Sequence, residues 1–332
     1  MASCNLFDAK GLPMVVALVL LSFSRLSVGA RRLPGLAEIE QASNELSYHG
    51  GTVLRGDIPV SIVWYGQVKP AQKAIIVDFL LSLTSVPVNA TPSAAQWWGT
   101  IDRAYLSKAS STPPSGDDVD DGGSSSSNNA TRVLLAGQVA DEQYSLGKSL
   151  TLVEIFQLAA GLVPNPGSLV LVLTDADVAV EGFCSARCGL HSSDAGAGYA
   201  YAWVGNAERE CPGHCAWPFA KPAYGPQDVP PLTPPNGDAG VDGMVVTLAT
   251  MVAGAVTDPF GDAYYLGDKD AALEACTACA GQFGAGAYPG YPGKVLVDET
   301  TGGSYNAVGA NGRKYLLPAI FDPATREDDA FC

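Results

Sequence analysis

The sequence predicts a mixed α/β (α+β) fold, a single domain with a central mixed sheet flanked by helices, long loops and disulfides. Three observations carry this. Ile58, Val60, Ile62 and Trp64 alternate at the period of a strand. Ile75, Ile76, Phe79, Leu80 and Leu83 recur at helical spacing, and Leu169–Leu173 (LVLVL) is a short, wholly apolar run suited to a strand covered on both faces. With 332 residues, 47% of them apolar, the chain has ample material for one sizeable core.

The elements follow in order. Lys10, the apolar stretch Leu12–Phe23 and the small residues Val28-Gly29-Ala30 read as a secretory signal peptide over residues 1–30, with the mature domain at 31–332. The twelve apolar residues reach only about 18 Å as a helix, short of a hydrocarbon core of roughly 30 Å. Residues 52–65 form a strand entered through Gly56-Asp57 and opening a strand pair, and Pro70 starts the first helix. Residues 109–130 contain no large side chain beyond Val119, which predicts a disordered insertion within the domain.

Beyond the insertion, residues 131–139 predict a strand, Leu150–Leu162 a helix ended by Pro164, and Leu169–Leu173 the core strand. The proline-rich stretch 221–237 reads as an extended strap. A central helix follows, capped by Asn236 or Asp238 and stopped at Thr257-Asp258-Pro259, with Met244, Leu248, Met251, Val252 and Ala255 on one face. From Tyr264 to Cys332, dense Gly and Tyr predict short strands joined by tight turns.

Composition excludes some partners. Lys and Arg total 19 against 34 acidic residues, a net charge of −15, and no basic run opposes it, so nucleic acid is not an expected partner. Outside the leader no apolar run long enough for a membrane span is read; the best, Met244–Val256, contains two Thr and a Gly. Asn89-Ala90-Thr91 and Asn129-Ala130-Thr131 are glycosylation sequons.

Of eight cysteines Cys4 lies in the leader, leaving seven. Cys184-x3-Cys188-x2-His191 and Cys211-Pro-Gly-His214-Cys215 have spacings that disulfides or zinc both satisfy; an oxidising compartment favours disulfides. An odd number leaves one thiol over. The remaining candidate site residues are His49 beside Gly50-Gly51, the pair Trp64-Tyr65, and Asp175 and Asp177, which stand at the end of the buried strand where open α/β sheets place ligands. Trp97-Trp98 is a second aromatic pair able to stack on a sugar. No nucleophile elbow, zinc-protease helix, phosphate loop or dinucleotide fingerprint is present.

YHGG at 48, LVLTDADVAVEGFC at 171, CGLH at 188, YAWVGNAERECPGHCAWPFAKPAYGPQ at 201, TDPFGDAYYLG at 257 and YNAVGANGRKYLLPAIFDP at 305 together resemble the plant EXORDIUM, or phosphate-induced, family over nearly all of the mature chain. The resemblance implies a secreted apoplastic or cell-wall protein associated with brassinosteroid-dependent growth and cell expansion. It implies action by binding a wall component or an extracellular protein, without catalytic residues, metal or cofactor. The alternative is an extracellular hydrolase of wall glycans or peptides using His49 with Asp175 and Asp177. Cys184, Cys188, Cys211 and Cys215 are expected disulfide cysteines on the compartment, and the resemblance implies that Cys279 pairs with Cys332 and that Cys276 is the odd thiol. Some members carry His-Glu where this chain has Thr250-Met251, which implies a zincin-like fold without the metal site, since neither residue offers a tight zinc ligand.

Overall fold

In the computed structural model, which describes residues 46–85, 91–109, 130–323 and 332, the strand-period run forms β1 (Asp57–Tyr65). The expected leader, both sequon asparagines and most of the expected insertion lie outside the described residues. Helix α1 (Pro70–Leu83) starts on Pro70, and the Gln72 side chain accepts from the Lys69 N–H at 3.1 Å. Helix α2 (Ala94–Ile101) opens on a capping box in which Ser93 and Gln96 each satisfy the other's backbone N–H. Strand β2 (Arg132–Asp141) follows the insertion, and Thr151 with Glu154 builds a second capping box at the start of α3 (Leu152–Ala160). Then come β3 (Leu169–Thr174), β4 (Gly189–Asp194), β5 (Tyr199–Gly205) and the long α4 (Ala239–Thr257).

The five strands lie in the order β2-β1-β3-β5-β4. All adjacent pairs are parallel except β4, which runs antiparallel to β5 at one edge. Ile62 sits between Gln138 of β2 and Leu171 of β3, which fixes the register. The expected opening strand pair does not form: β1 is joined to both its neighbours through helical crossovers and pairs with each in parallel, as parallel strands require. The short pairing at that end is instead Ser47–Tyr48 with Tyr264–Tyr265.

Alternation along the strands separates two cores. Ile58, Val60, Ile62 and Trp64 of β1, Leu169, Leu171 and Leu173 of β3, and Ala200, Ala202 and Val204 of β5 face α1, α2 and α4. Val63 and Tyr65, Val170 and Val172, and Tyr199, Tyr201 and Trp203 face α3. Each central strand is covered on both sides, so its sequence reads as almost continuously apolar. Small residues let α4 come close: a Cβ on Gly189 would lie 2.9 Å from the Thr247 methyl and 3.3 Å from Met251. Asp238 caps α4 by accepting from the Val241 N–H at 3.0 Å. By length and composition α4 could cross a membrane; here most of it is buried inside the protein, with Leu248, Val252, Ala253 and Val256 fully enclosed.

Candidate functional site

The exits of β1 and β3 form the sheet's topological switch point, where Asp175 and Asp177 stand. Asp175 is packed and occupied. Its N–H donates to Tyr65 O at 2.9 Å, its carboxylate accepts from the Ala176 N–H at 2.8 Å, and a Cβ on Gly66 would lie 2.7 Å from its own Cβ. Asp177 accepts from the Tyr144 hydroxyl at 3.0 Å and from the Lys148 ammonium, which also lies 4.2 Å from the centre of the Tyr144 ring. Burial pulls the Asp177 carboxyl upward, but the hydrogen bonds from Lys148 and Tyr144 outweigh it and hold it below the ordinary Asp range. The carboxylate is a charged clasp across a turn, with its proton-accepting capacity taken.

Trp64 and Tyr65 are core residues, 2% and 0% exposed, which closes both rings to a ligand. The Trp64 Nε1–H donates to Gln138 Oε1 at 2.9 Å; the Tyr65 hydroxyl donates to Gly147 O at 2.7 Å and accepts from the Leu146 N–H. Trp98 is likewise buried and bonded to Thr131 O, and Trp97 to Pro318 O. His49 is exposed and stacks on Tyr265 with ring centres 3.7 Å apart. It lies on the side from which β1 is entered, its N–H bonded to Ala263 O, whereas Asp175 and Asp177 lie where the strands end. The structure does not bring the three together: Asp175 and Asp177 follow the end of β3, and His49 follows Ser47–Tyr48 of a separate two-stranded ladder.

The six paired cysteines form Cys184–Cys211, Cys188–Cys215 and Cys279–Cys332. The first two bridges, each spanning 27 residues, clamp the ECPGHCAWPF segment to the turn before β4. Cys276 is free and buried, and burial pushes its thiol up, away from the reactive thiolate. Among the described residues no group of three or more His, Cys, Asp or Glu side chains is placed to hold a metal. Thr250 bonds Val246 O of its own helix and Met251 packs on the core, so the zincin-like part of the expectation gains no support.

The clamped segment forms one wall of a groove. His214 sits on the short helix Pro212–Cys215, Trp217 follows, and Tyr224 stands beyond Pro222, its ring 6.4 Å from that of His214. The opposite wall is the stretch Ala280–Gly290, which ends in the turn Tyr288-Pro289-Gly290-Tyr291. There Pro289 presets the second turn position, Gly290 takes the third at φ 92°, and Tyr288 and Tyr291 exchange both backbone hydrogen bonds at 3.0 and 2.8 Å. Between the walls lies a cavity of about 560 Å³ lined by His214, Trp217, Tyr224, Gln282, Tyr288 and neighbouring Gly, Ala and Pro. It shares His214, Trp217, Ala280 and Gly281 with a second cavity of about 440 Å³ that reaches α4 at Thr250 and Met251.

Tyr224 is 81% exposed and Tyr288 56%, unusual for rings this large. The chain has five tryptophans, and four of them donate Nε1–H to Gln138, Pro318, Thr131 and Thr174. Among the described residues only the Trp217 indole, in the groove, has no protein acceptor. Sequence reasoning missed Trp217, Tyr224 and Tyr288; the available signal was aromatic residues set among Pro and Gly, where no apolar periodicity takes their rings inward.

Comparison with known proteins gives a consistent answer. Residues 46–330 match the family described as phosphate-induced protein 1 conserved region. Protein PHOSPHATE-INDUCED 1 of Nicotiana tabacum is 47% identical over 315 residues, 92% of this chain and 94% of that protein. Protein EXORDIUM of Arabidopsis thaliana is 48% identical over 317 residues, again 92% and 94%, and Protein EXORDIUM-like 2 of Arabidopsis thaliana is 48% identical over 296 residues, 86% and 90%. No solved structure matches the chain.

Proposed function

The chain belongs to the phosphate-induced protein 1 family, which takes in the EXORDIUM proteins, and from that premise we propose that it is a secreted protein of the apoplast or cell wall that works by binding in brassinosteroid-dependent growth and cell expansion. The leader pattern at residues 1–30 and the three disulfides support secretion, since such bridges persist in oxidising compartments. One observation carries the binding reading: a groove walled by a disulfide-clamped segment exposes Tyr224 and Tyr288 and an indole N–H without a partner. The polar groups with catalytic chemistry, Asp175 and Asp177, are spent on turn contacts. The partner is a cell-wall component or another extracellular protein.

The test incubates the purified mature chain with isolated wall fractions, following both retention and product release. Retention without release of reducing sugar or peptide is the expected result. Turnover that disappears in Asp175→Asn or His49→Ala would instead establish a hydrolase.

A further inference from the structure

We propose that the groove between His214 and Tyr288 is a binding site for a neutral, extended polysaccharide chain. This rests on the binding reading above and assigns it a ligand class. Charge is the first argument. Among the described residues no Asp, Glu, Lys or Arg lines the 560 Å³ cavity, and of these types Arg187 alone lines the adjoining one. On a protein of net charge −15, a groove whose one charged neighbour is Arg187 offers little to an anionic chain such as a polyuronide.

The second argument is the pairing of rings with unused polar groups. Pyranose rings present C–H faces that stack on aromatic faces, and Trp217, Tyr224 and Tyr288 supply three such rings around one trough. Alongside them, the Trp217 Nε1–H, the Gln282 amide and the His214 imidazole have no hydrogen-bond partner among the described residues. Trp217 gives a donor only, whereas the Gln282 amide and a neutral imidazole each need both a donor and an acceptor opposite them. Sugar hydroxyls are both at once. A polyproline segment has carbonyls but no N–H, so it would satisfy the indole and leave the Gln282 side-chain Oε1 unpaired.

The third argument is shape. A cavity of about 560 Å³ is in the range of small-molecule sites, and the shared lining of His214, Trp217, Ala280 and Gly281 continues it toward α4 as a trough. A trough takes a polymer segment more readily than a compact molecule. Two disulfides hold one wall and a tight turn holds the other, so little ordering is required on binding.

The experiment is calorimetric titration of the full mature protein with cellohexaose, xylohexaose, hexagalacturonate and a decaproline peptide, in wild type and in Tyr224→Ala, Tyr288→Ala and Gln282→Ala. All three altered side chains are on the groove surface, and thermal midpoints confirm folding. The expected result is binding of a neutral hexasaccharide, weakened about two- to tenfold by each tyrosine change and further by the double change. Preference for hexagalacturonate or decaproline, or unchanged affinity in the double variant, overturns the proposal. If neither neutral hexasaccharide binds while wall fractions still retain the protein, this inference fails and the binding reading stands. If wall fractions and extracellular proteins are also ignored, the binding reading itself fails.

Discussion

Glu274 closes on His191 with both carboxylate oxygens, at 2.8 and 2.9 Å from Nε2, in the space where residue 254 of α4 has no side chain. The pair ties edge strand β4 to the segment leading into the Cys279 bridge, and neither residue lines the groove cavities. The His191 Nδ1 atom is buried without a partner, so the contact through Nε2 is the ring's one anchor.

Gly254→Ala tests that clip. The added Cβ would lie 2.2 Å from Glu274 Oε2 and 2.6 Å from His191 Nε2, closer than packed atoms tolerate. The expected cost is about 1 to 3 kcal/mol, as for overpacking in a well-filled interior, read as a lower midpoint in chemical denaturation. Unchanged stability would mean that α4 shifts freely and the clip does not fix it.

Asp242 gives a pH signature. It is 2% exposed beneath the Asn236 turn; burial raises its carboxyl to about 6 from the ordinary 3.8, although hydrogen bonds from Asn236 oppose this. Between those values the folded chain holds a proton that the unfolded chain has lost. The contribution to stability is therefore full below about pH 4 and is lost as pH rises through about 6, a difference of roughly 3 kcal/mol. Asp242→Asn removes this dependence, so the difference in unfolding free energy between wild type and variant should slope across that window. A flat difference contradicts the assignment.

The bridges Cys184–Cys211 and Cys188–Cys215 close loops of similar length around one wall of the groove. Replacing either pair by serines is expected to lower stability by about 3 kcal/mol, measured by urea unfolding. Because the same wall carries His214 and Trp217, retention on wall fractions should fall in parallel. Full retention with both bridges removed would separate the groove from binding.

Cys276 predicts the opposite behaviour under modification. Its thiol is 1% exposed and held protonated by burial, so in the mature protein, without Cys4, a thiol reagent should label nothing in the native state and one site once it is unfolded without reductant. Rapid labelling of the native protein would place this thiol at the surface.

The sheet was legible in part, because β1 and β3 carry their own signal. Ile58, Val60, Ile62 and Trp64 alternate, and Leu169–Leu173 is apolar throughout. Strands β5 and β4 were not: Tyr199–Gly205 alternates aromatics with small residues in place of a branched aliphatic run, and Gly189–Asp194 is a half-exposed edge whose polar residues pair with β5 without burying a face. The same burial logic explains the site residues. Trp64 and Tyr65 lie in a covered strand, so their rings fill the two cores; Asp175 and Asp177 stand at the right edge of the sheet, but Asp175 bonds the N–H of the next residue and Asp177 is held by neighbours that only the fold brings close, Tyr144 and Lys148. The groove joins residues 213–224 to residues 280–290, and nothing local in either stretch announces the other. The ten residues ECPGHCAWPF, whose cysteines also matched zinc spacing, serve as the clamped wall that holds Trp217 open.

The most direct test follows the five indole N–H signals of the ¹⁵N-labelled protein while cellohexaose or xylohexaose is added. Four of these protons are bonded within the protein, and the fifth belongs to Trp217, which lines the groove. The account predicts that the Trp217 signal moves with saturation while those of Trp64, Trp98 and Trp203 stay in place. A Trp217 signal that never moves, under conditions where the protein demonstrably binds the sugar, would contradict it.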